Sequence, residues 1–170
     1  MTCQFTPMQL ALARCACAIV ATLALGSAAA QSPPKEGNYD YISCWSGSSN
    51  DIAFSKTHGA GSFEFFVNNH TIPPGGMFDK TSARCVGLGV MLDEKRSGSS
   101  YCEATDKDGD KFMVRNVQEG PKMTQEGLAG TGKYEGMVRT GISEPLGVFP
   151  PPAPGKFTGC ARQTGTYKLK

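Results

Sequence analysis

The sequence has little net charge and, after its first thirty residues, no long apolar run. Its 170 residues include 17 Lys and Arg against 15 Asp and Glu, so the formal charge is +2, and the two signs are interspersed. A protein that follows nucleic-acid phosphates has a basic face or stripe, and none stands out here. Residues 31–170 also contain no apolar segment of the roughly 20 residues that a membrane-spanning helix needs. We therefore expect no nucleic-acid partner and no membrane span in this part of the chain.

The sequence also lacks the motifs of common catalytic and cofactor sites. It has no Gly-x-Ser-x-Gly elbow for a nucleophile and no Cys-x-x-Cys pair for a metal. The two histidines, His58 and His70, flank a predicted strand, and nothing fixes a nucleophile or an orienting carboxylate beside either. Glycine clusters at 59–62 and 73–76 precede no helix that could present amide groups to a phosphate. Because these motifs are absent, we expect no metal ion, no cofactor and no catalytic residue.

Residues 1–30 have the pattern of a secretory signal peptide. Arg14 precedes an apolar run at 15–26, and the alanines at 28–30 supply the small residues of a cleavage site. The run is too short for a membrane anchor. We expect cleavage near Ala30 and a periplasmic or secreted protein, with a flexible lead-in at 31–38 and one domain at 39–170. Three cysteines would leave with the signal peptide: Cys3, Cys15 and Cys17.

The remaining cysteines are Cys44, Cys85, Cys102 and Cys160. An even number in an exported domain favours disulfides, and four cysteines allow three connectivities. Cys85 and Cys102 lie on two neighbouring strand-like runs and could join them, in which case Cys44 and Cys160 would tie the start of the domain to its end. A metal site is the alternative, but neither histidine has ligand spacing from a cysteine.

Short strand-like segments separated by turn residues predict an all-β protein. No segment shows a helical stripe with caps. Gly87 and Gly89 interrupt an apolar run and indicate a bulge or a barrel corner. The prolines in 148–155 predict an extended connection that crosses one end of the barrel. The predicted strands are 39–45, 62–67, 83–92, 99–105, 111–117, 133–139 and 164–169.

Two sets of carboxylates are candidates for chemistry. Asp106, Asp108 and Asp110 alternate as in the start of a calcium-binding loop, but Lys111 replaces the required glycine, so a β-hairpin turn is the simpler interpretation. Glu64 and Glu103 lie within predicted strands and are candidate cavity carboxylates. An inward-facing carboxylate would have a raised pKa and could transfer protons, whereas an outward-facing one would be solvated.

The Gly-Thr-Gly, Tyr and Gly of segment 130–136, together with the hairpin at 99–111, resemble the barrel family that includes plant allene oxide cyclase and related small bacterial secreted proteins. The resemblance implies a single antiparallel, calycin-like barrel of about eight strands with an interior large enough for a ligand. The family's cyclases bind a fatty-acid epoxide there and direct its cyclisation. The resemblance transfers no catalytic residue to this sequence.

Three functions remain open at this point. The sequence favours an exported barrel, stapled by disulfides, that binds a small hydrophobic ligand without chemistry. The first alternative is a cyclase or isomerase in which Glu64 or Glu103 acts on an apolar substrate. The second is a structural or interaction protein of the cell envelope that uses the sheet surface. An interior cavity of about 300 Å³ or more would favour binding or catalysis over the third function.

Overall fold

A computed structural model of the protein describes residues 34–147 and 149–170, so the predicted signal peptide at 1–30 lies outside the described residues. Eight strands form a closed antiparallel barrel, which confirms the all-β prediction. The strands are β1 (Glu36–Ala53), β2 (Gly59–Thr71), β3 (Ser82–Leu92), β4 (Lys95–Thr105), β5 (Lys111–Glu119), β6 (Lys122–Gly130), β7 (Val138–Pro145) and β8 (Lys156–Lys168). Within the described ranges, no helix is long and apolar enough to cross a bilayer.

Each strand pairs with its neighbours in the sequence, and β1 pairs with β8 to close the barrel. The connections therefore alternate between two ends. Four of them, after β1, β3, β5 and β7, lie at what we call the open end, and the other three lie at the closed end with Glu36 and Lys168. Inward and outward side chains alternate along the strands, as a closed barrel requires, except where the register shifts in β6.

The closed end contains the main core of the protein. Phe78, from the β2–β3 connection, and Tyr134, from the β6–β7 connection, are fully buried. Their rings stack 6.1 Å apart, and Phe112 packs 4.8 Å from the Tyr134 ring. Because these two aromatic side chains come from connections rather than strands, they fill the barrel from its end. The other buried members of this cluster are Tyr39, Tyr41, Ala104, Val114, Met137 and Tyr167.

The predicted strand at 133–139 is wrong for most of its length. A single 3₁₀ turn, Gly132–Tyr134, occupies this region, and β7 begins only at Val138. Gly132 has a φ of 53°, a left-handed conformation that a strand does not use and that glycine adopts without strain. The turn directs the Tyr134 ring into the barrel. The preceding strand, β6, was not among the predicted strands.

Two further predictions about glycine and order need correction. Gly87 and Gly89 do not form a bulge, because β3 keeps continuous register with both neighbouring strands. The register shift of this barrel lies instead at Met113/Val114, between β5 and β6. The lead-in is also shorter than predicted, since β1 begins at Glu36 rather than near residue 39.

Both disulfides form between directly opposite residues of paired strands. Cys85 on β3 bonds to Cys102 on β4, and Cys44 on β1 bonds to Cys160 on β8. Cys85 and Cys102 face the barrel interior, whereas Cys44 follows the inward-facing Ser43 and therefore points outward. The prediction of two structural disulfides is confirmed. Such bonds are typical of proteins in an oxidising environment outside the cytoplasm.

Candidate functional site

A cavity of about 390 Å³ occupies the barrel between the packed closed end and the connections of the open end. Tyr41, Phe112 and Arg139 lie at its floor, while Pro121 and Phe149 belong to connections at the open end. The interior of this barrel is thus divided into a part packed with side chains and a cavity. The cavity is larger than the roughly 300 Å³ that favours a binding or catalytic barrel over one with a filled interior.

The walls near the open end keep the cavity wide by combining aromatic rings with glycines. A Cβ atom at Gly87 would lie 2.5 Å from the Phe63 ring, and one at Gly159 would lie 2.6 Å from the Trp45 ring. Each ring therefore lies against the neighbouring strand instead of crossing the interior. Phe65 lies between these rings, 6.4 Å from Trp45 and 5.9 Å from Phe63. Together the three rings form a continuous apolar wall.

A belt of uncharged polar side chains lines the cavity below these rings. Asn69 accepts a hydrogen bond from Ser43 Oγ at 2.5 Å and donates one to Thr81 Oγ1 at 2.8 Å. On β8, which lies on the other side of β1, Gln163 Nε2 donates to Ser143 Oγ at 2.9 Å, while the buried Gln163 Oε1 has no partner among the described residues. The full polar belt consists of Ser43, Asn69, Ser100, Asn116, Gln125, Ser143 and Gln163.

Arg139, from β7, is the charged residue of the cavity floor. Only 2% of its surface is exposed. Its Nη2 donates hydrogen bonds to the Tyr41 hydroxyl and, at 2.8 Å, to Gln125 Oε1. Its guanidinium carbon lies 4.5 Å from the centre of the Tyr39 ring and 4.6 Å from that of Phe78, which gives two cation–π contacts. The packed core of the closed end therefore holds this cation in place.

The protonation states of the floor follow from burial. A guanidinium cannot lose its proton in a protein, so Arg139 stays positive. Burial raises the pKa of Tyr41, although the neighbouring Arg139 acts in the opposite direction. Tyr41 is therefore a neutral phenol near pH 7. Among the described residues that line the cavity there is no Asp, Glu, His or Lys, so Arg139 supplies their whole formal charge.

The candidate cavity carboxylates, Glu64 and Glu103, lie outside the cavity. They occupy outward positions on β2 and β4, where Glu64 pairs with Arg84 at 2.5 Å and Glu103 pairs with Lys111 at 2.9 Å. Their partners are also on the solvated face of the barrel. The prediction that either carboxylate lines the cavity is corrected, because strand alternation directs both toward water.

The aspartate turn at 106–110 holds the side chain of Lys133. Asp106 accepts hydrogen bonds from the backbone N–H groups of Asp108 and Asp110, which is the behaviour of a turn-forming aspartate. Lys133 Nζ lies 2.5 Å from Asp106 Oδ2 and 3.1 Å from Asp108 Oδ2. The described residues include no group of three or more His, Cys, Asp or Glu arranged to hold a metal ion.

Sequence reasoning missed Arg139, and the pattern around it points to the wrong face. On β7, Val138 and Ile142 are exposed while Arg139 and Ser143 are buried. Hydrophobic alternation would place Val138 and Ile142 in the interior. The reverse arrangement arises because the Arg139 side chain fits between the aromatic rings of the closed end. No local signal in the sequence identifies it.

A scan of protein-family models finds no match to the chain, and searches of curated proteins and of solved structures find none either. The functional argument therefore depends on the cavity itself. The resemblance to the allene oxide cyclase barrel stays a prediction.

Proposed function

We propose that this protein is an exported binding protein, periplasmic or secreted, that holds a small hydrophobic ligand in the barrel without chemical change. The observation that carries the proposal is the cavity of about 390 Å³ with its wall of Trp45, Phe63 and Phe65. Ligand sites are typically clefts of about 300–1,000 Å³ with apolar walls and a few polar groups. The polar belt provides those groups.

The surrounding structure supports binding to a preformed site. The aromatic core of the closed end and the Cys85–Cys102 disulfide in the cavity wall restrict the motion of the strands around it. A preorganised site loses less conformational entropy when a ligand binds. The cyclase alternative was based on Glu64 or Glu103, and both lie on the outer face, which favours the binder over the enzyme.

Native mass spectrometry tests the proposal on protein recovered from an oxidising compartment. We expect a complex whose additional mass disappears after mild organic extraction, and a polypeptide mass four hydrogens below that of the reduced mature chain. The released compound would identify the ligand. The extracted compound is then incubated with the protein. If the protein converts it into a different compound, the function is catalysis and not binding alone.

A fluorescent probe tests whether the cavity is the site. N-phenyl-1-naphthylamine is neutral and becomes fluorescent in apolar surroundings. Ala83→Phe would place a ring in the cavity, whereas Val86→Phe places one on the exposed face of the same strand. We expect Ala83→Phe to weaken probe binding at least tenfold and Val86→Phe to leave it unchanged. Equal effects would contradict binding in the cavity.

A further inference from the structure

We infer that the ligand is an organic monoanion whose carboxylate binds Arg139 at the cavity floor while its apolar body lies along the aromatic wall. This inference rests on the proposed binding function and specifies the chemistry of the ligand. Trp45, Phe63 and Phe65 lie toward the open end, and Arg139 lies at the opposite side of the same cavity. The ligand therefore enters with its charged group first.

The first support is the charge of the cavity. Arg139 is buried, yet it has no carboxylate partner in the described residues, whose ion pairs join other side chains. The chain outside the described ranges contains no Asp or Glu, so it cannot supply a carboxylate side chain. Buried charges in proteins are normally paired, because transfer of an isolated ion from water is costly. The missing negative charge is the one that a ligand would bring.

The second support is the unused hydrogen-bonding capacity of the guanidinium. Arginine has five N–H donors in a planar fork. The described bonds of Arg139 go from Nη2 to Tyr41 and Gln125, and the buried Nε has no partner among the described residues. The cation–π contacts with Tyr39 and Phe78 stabilise the charge but satisfy none of these donors. A carboxylate matches such a fork because its two oxygens accept parallel hydrogen bonds.

The third support is the way the polar belt orients Arg139. Ser100 accepts a hydrogen bond from Asn116, and Asn116 accepts one from Gln125 at 3.0 Å. The amide of Gln125 is thereby turned so that its oxygen faces Arg139. Tyr41 accepts a hydrogen bond from Arg139 through its oxygen, so its own proton is available to donate. Arg139 and Tyr41 can therefore both donate to one carboxylate, and no ionised acceptor among the described lining residues repels it.

The number of charges favours a carboxylate over a phosphate. One guanidinium balances a single negative charge, and the rest of the described lining is uncharged. A dianionic phosphate monoester would carry an additional buried charge with no partner. Desolvation would oppose its binding for the same reason that an unpaired Arg139 is costly.

Isothermal titration calorimetry with two matched ligands tests the inference on the unmodified, oxidised protein. 2-Naphthoic acid and 2-naphthamide have nearly the same shape, and only the acid is charged at pH 7. We expect the acid to bind at least tenfold more tightly than the amide. If the amide binds as well as the acid while N-phenyl-1-naphthylamine still binds in the cavity, the inference falls and the proposed function stands. If all three fail to bind, both fall.

Variants then locate the charge effect. Arg139→Met keeps most of the length of the side chain and removes the cation, so the affinity for the acid should fall to that for the amide. Arg84→Met removes an arginine from the outer face and should leave the acid-to-amide ratio unchanged. Tyr41→Phe should weaken acid binding several-fold with little effect on the amide. The ratio of acid to amide affinity is first measured on the unmodified protein. A ratio near one there contradicts the inference even if Arg139→Met fails to fold.

Discussion

The two ends of this barrel are built from the same strands and differ in what their connections contribute. At the closed end, two connections insert Phe78 and Tyr134 into the interior, and both side chains are fully buried. At the open end, Phe149 from the β7–β8 connection lines the cavity but stays 44% exposed. Closure of eight strands therefore does not determine whether the interior is filled. The connections decide it.

The two ends also differ in whether their side chains contribute to folding stability or to the cavity. Burying a large apolar side chain stabilises a protein by roughly 1.5–3 kcal/mol, and the closed end concentrates such side chains. At the open end, the rings of Trp45, Phe63 and Phe65 line the cavity, so they are less completely packed and contribute less to the stability of the fold. We infer that the closed end supplies the folding stability that lets the other end remain open. Three pairs of substitutions can break or sharpen this comparison.

The largest effect is expected from matched Phe→Ala substitutions at the two ends. Phe78→Ala removes a fully buried ring in contact with five aromatic side chains: Tyr39, Tyr41, Phe112, Tyr134 and Tyr167. It should lower the free energy of unfolding by about 3–5 kcal/mol. Phe149→Ala removes a half-exposed ring and should cost less than about 1 kcal/mol. Urea denaturation of both oxidised variants measures the difference, and similar losses would contradict the division between the ends.

A smaller effect is expected from two glycines on the same face of β3. Gly87→Ala places a Cβ within clashing distance of the Ser99 backbone oxygen and 2.5 Å from the Phe63 ring, so the β4 backbone and the ring must both shift, at a cost of about 1–3 kcal/mol. At Gly89 the corresponding Cβ would lie 3.6 Å from that ring, an ordinary contact. Gly89→Ala should therefore be neutral or stabilise by about 0.4–1 kcal/mol.

Thermal unfolding and binding of N-phenyl-1-naphthylamine distinguish the two glycine variants. Gly87→Ala should lower both the melting temperature and the affinity for the probe, whereas Gly89→Ala should preserve both. If Gly87→Ala bound the probe normally, the aromatic wall would not depend on the space that Gly87 leaves.

The smallest effect concerns the pH dependence of the closed end. Burial opposes ionisation of Asp106, but Lys133 and the backbone N–H of Asp108 outweigh it and lower the pKa of Asp106. A lowered pKa in the folded state gives stability that is present above the unfolded pKa, near 3.9, and is lost as the pH falls through the folded value. Because the Lys133 side chain is still 28% exposed, solvent screens the pair, and we expect it to contribute about 1 kcal/mol at most.

Asp106→Asn should therefore reduce stability at pH 7 by up to that amount and flatten its dependence on pH below about 4. Chemical denaturation between pH 3 and pH 7 measures this. Asp93→Asn is the control for an exposed ion pair, because Asp93 Oδ1 lies 3.3 Å from His58 Nε2 at the open end and the Asp93 side chain is 85% exposed. If both variants gave the same pH profile, the Asp106–Lys133 pair would contribute nothing to the closed end.

The sequence predicted the general architecture better than the candidate site. Turn residues between short strands were enough to indicate an all-β protein, and the position of Cys85 and Cys102 on adjacent runs favoured one of the three possible connectivities. The strand predicted at 62–67 lies within β2, where alternation puts Phe63, Phe65 and Val67 on the face that lines the cavity. These inferences succeeded because they depend on local pattern and on pairs of nearby strands.

The site was not predictable because it depends on contacts distant in the chain. Arg139 is held by Tyr41, which is 98 residues away, and by the Phe78 ring. The outward apolar residues Val138 and Ile142 conceal its inward position. Gly87 was interpreted as a bulge or a barrel corner, and its contact with the Phe63 ring was not foreseen because that ring lies on another strand. Glu64 and Glu103 were candidates only because either face of a predicted strand could have been inward.

The Cys44–Cys160 disulfide has a consequence for cleavage of the polypeptide. It joins β1 to β8 across a sequence separation of 116 residues, so almost the whole barrel wall is one covalent ring. Phe54, in the β1–β2 connection, is 85% exposed and offers an accessible peptide bond to a protease. A single cut there opens the backbone but releases no fragment, because the disulfide still holds the two parts together. In a compartment with extracellular proteases, the barrel can be nicked and remain one molecule.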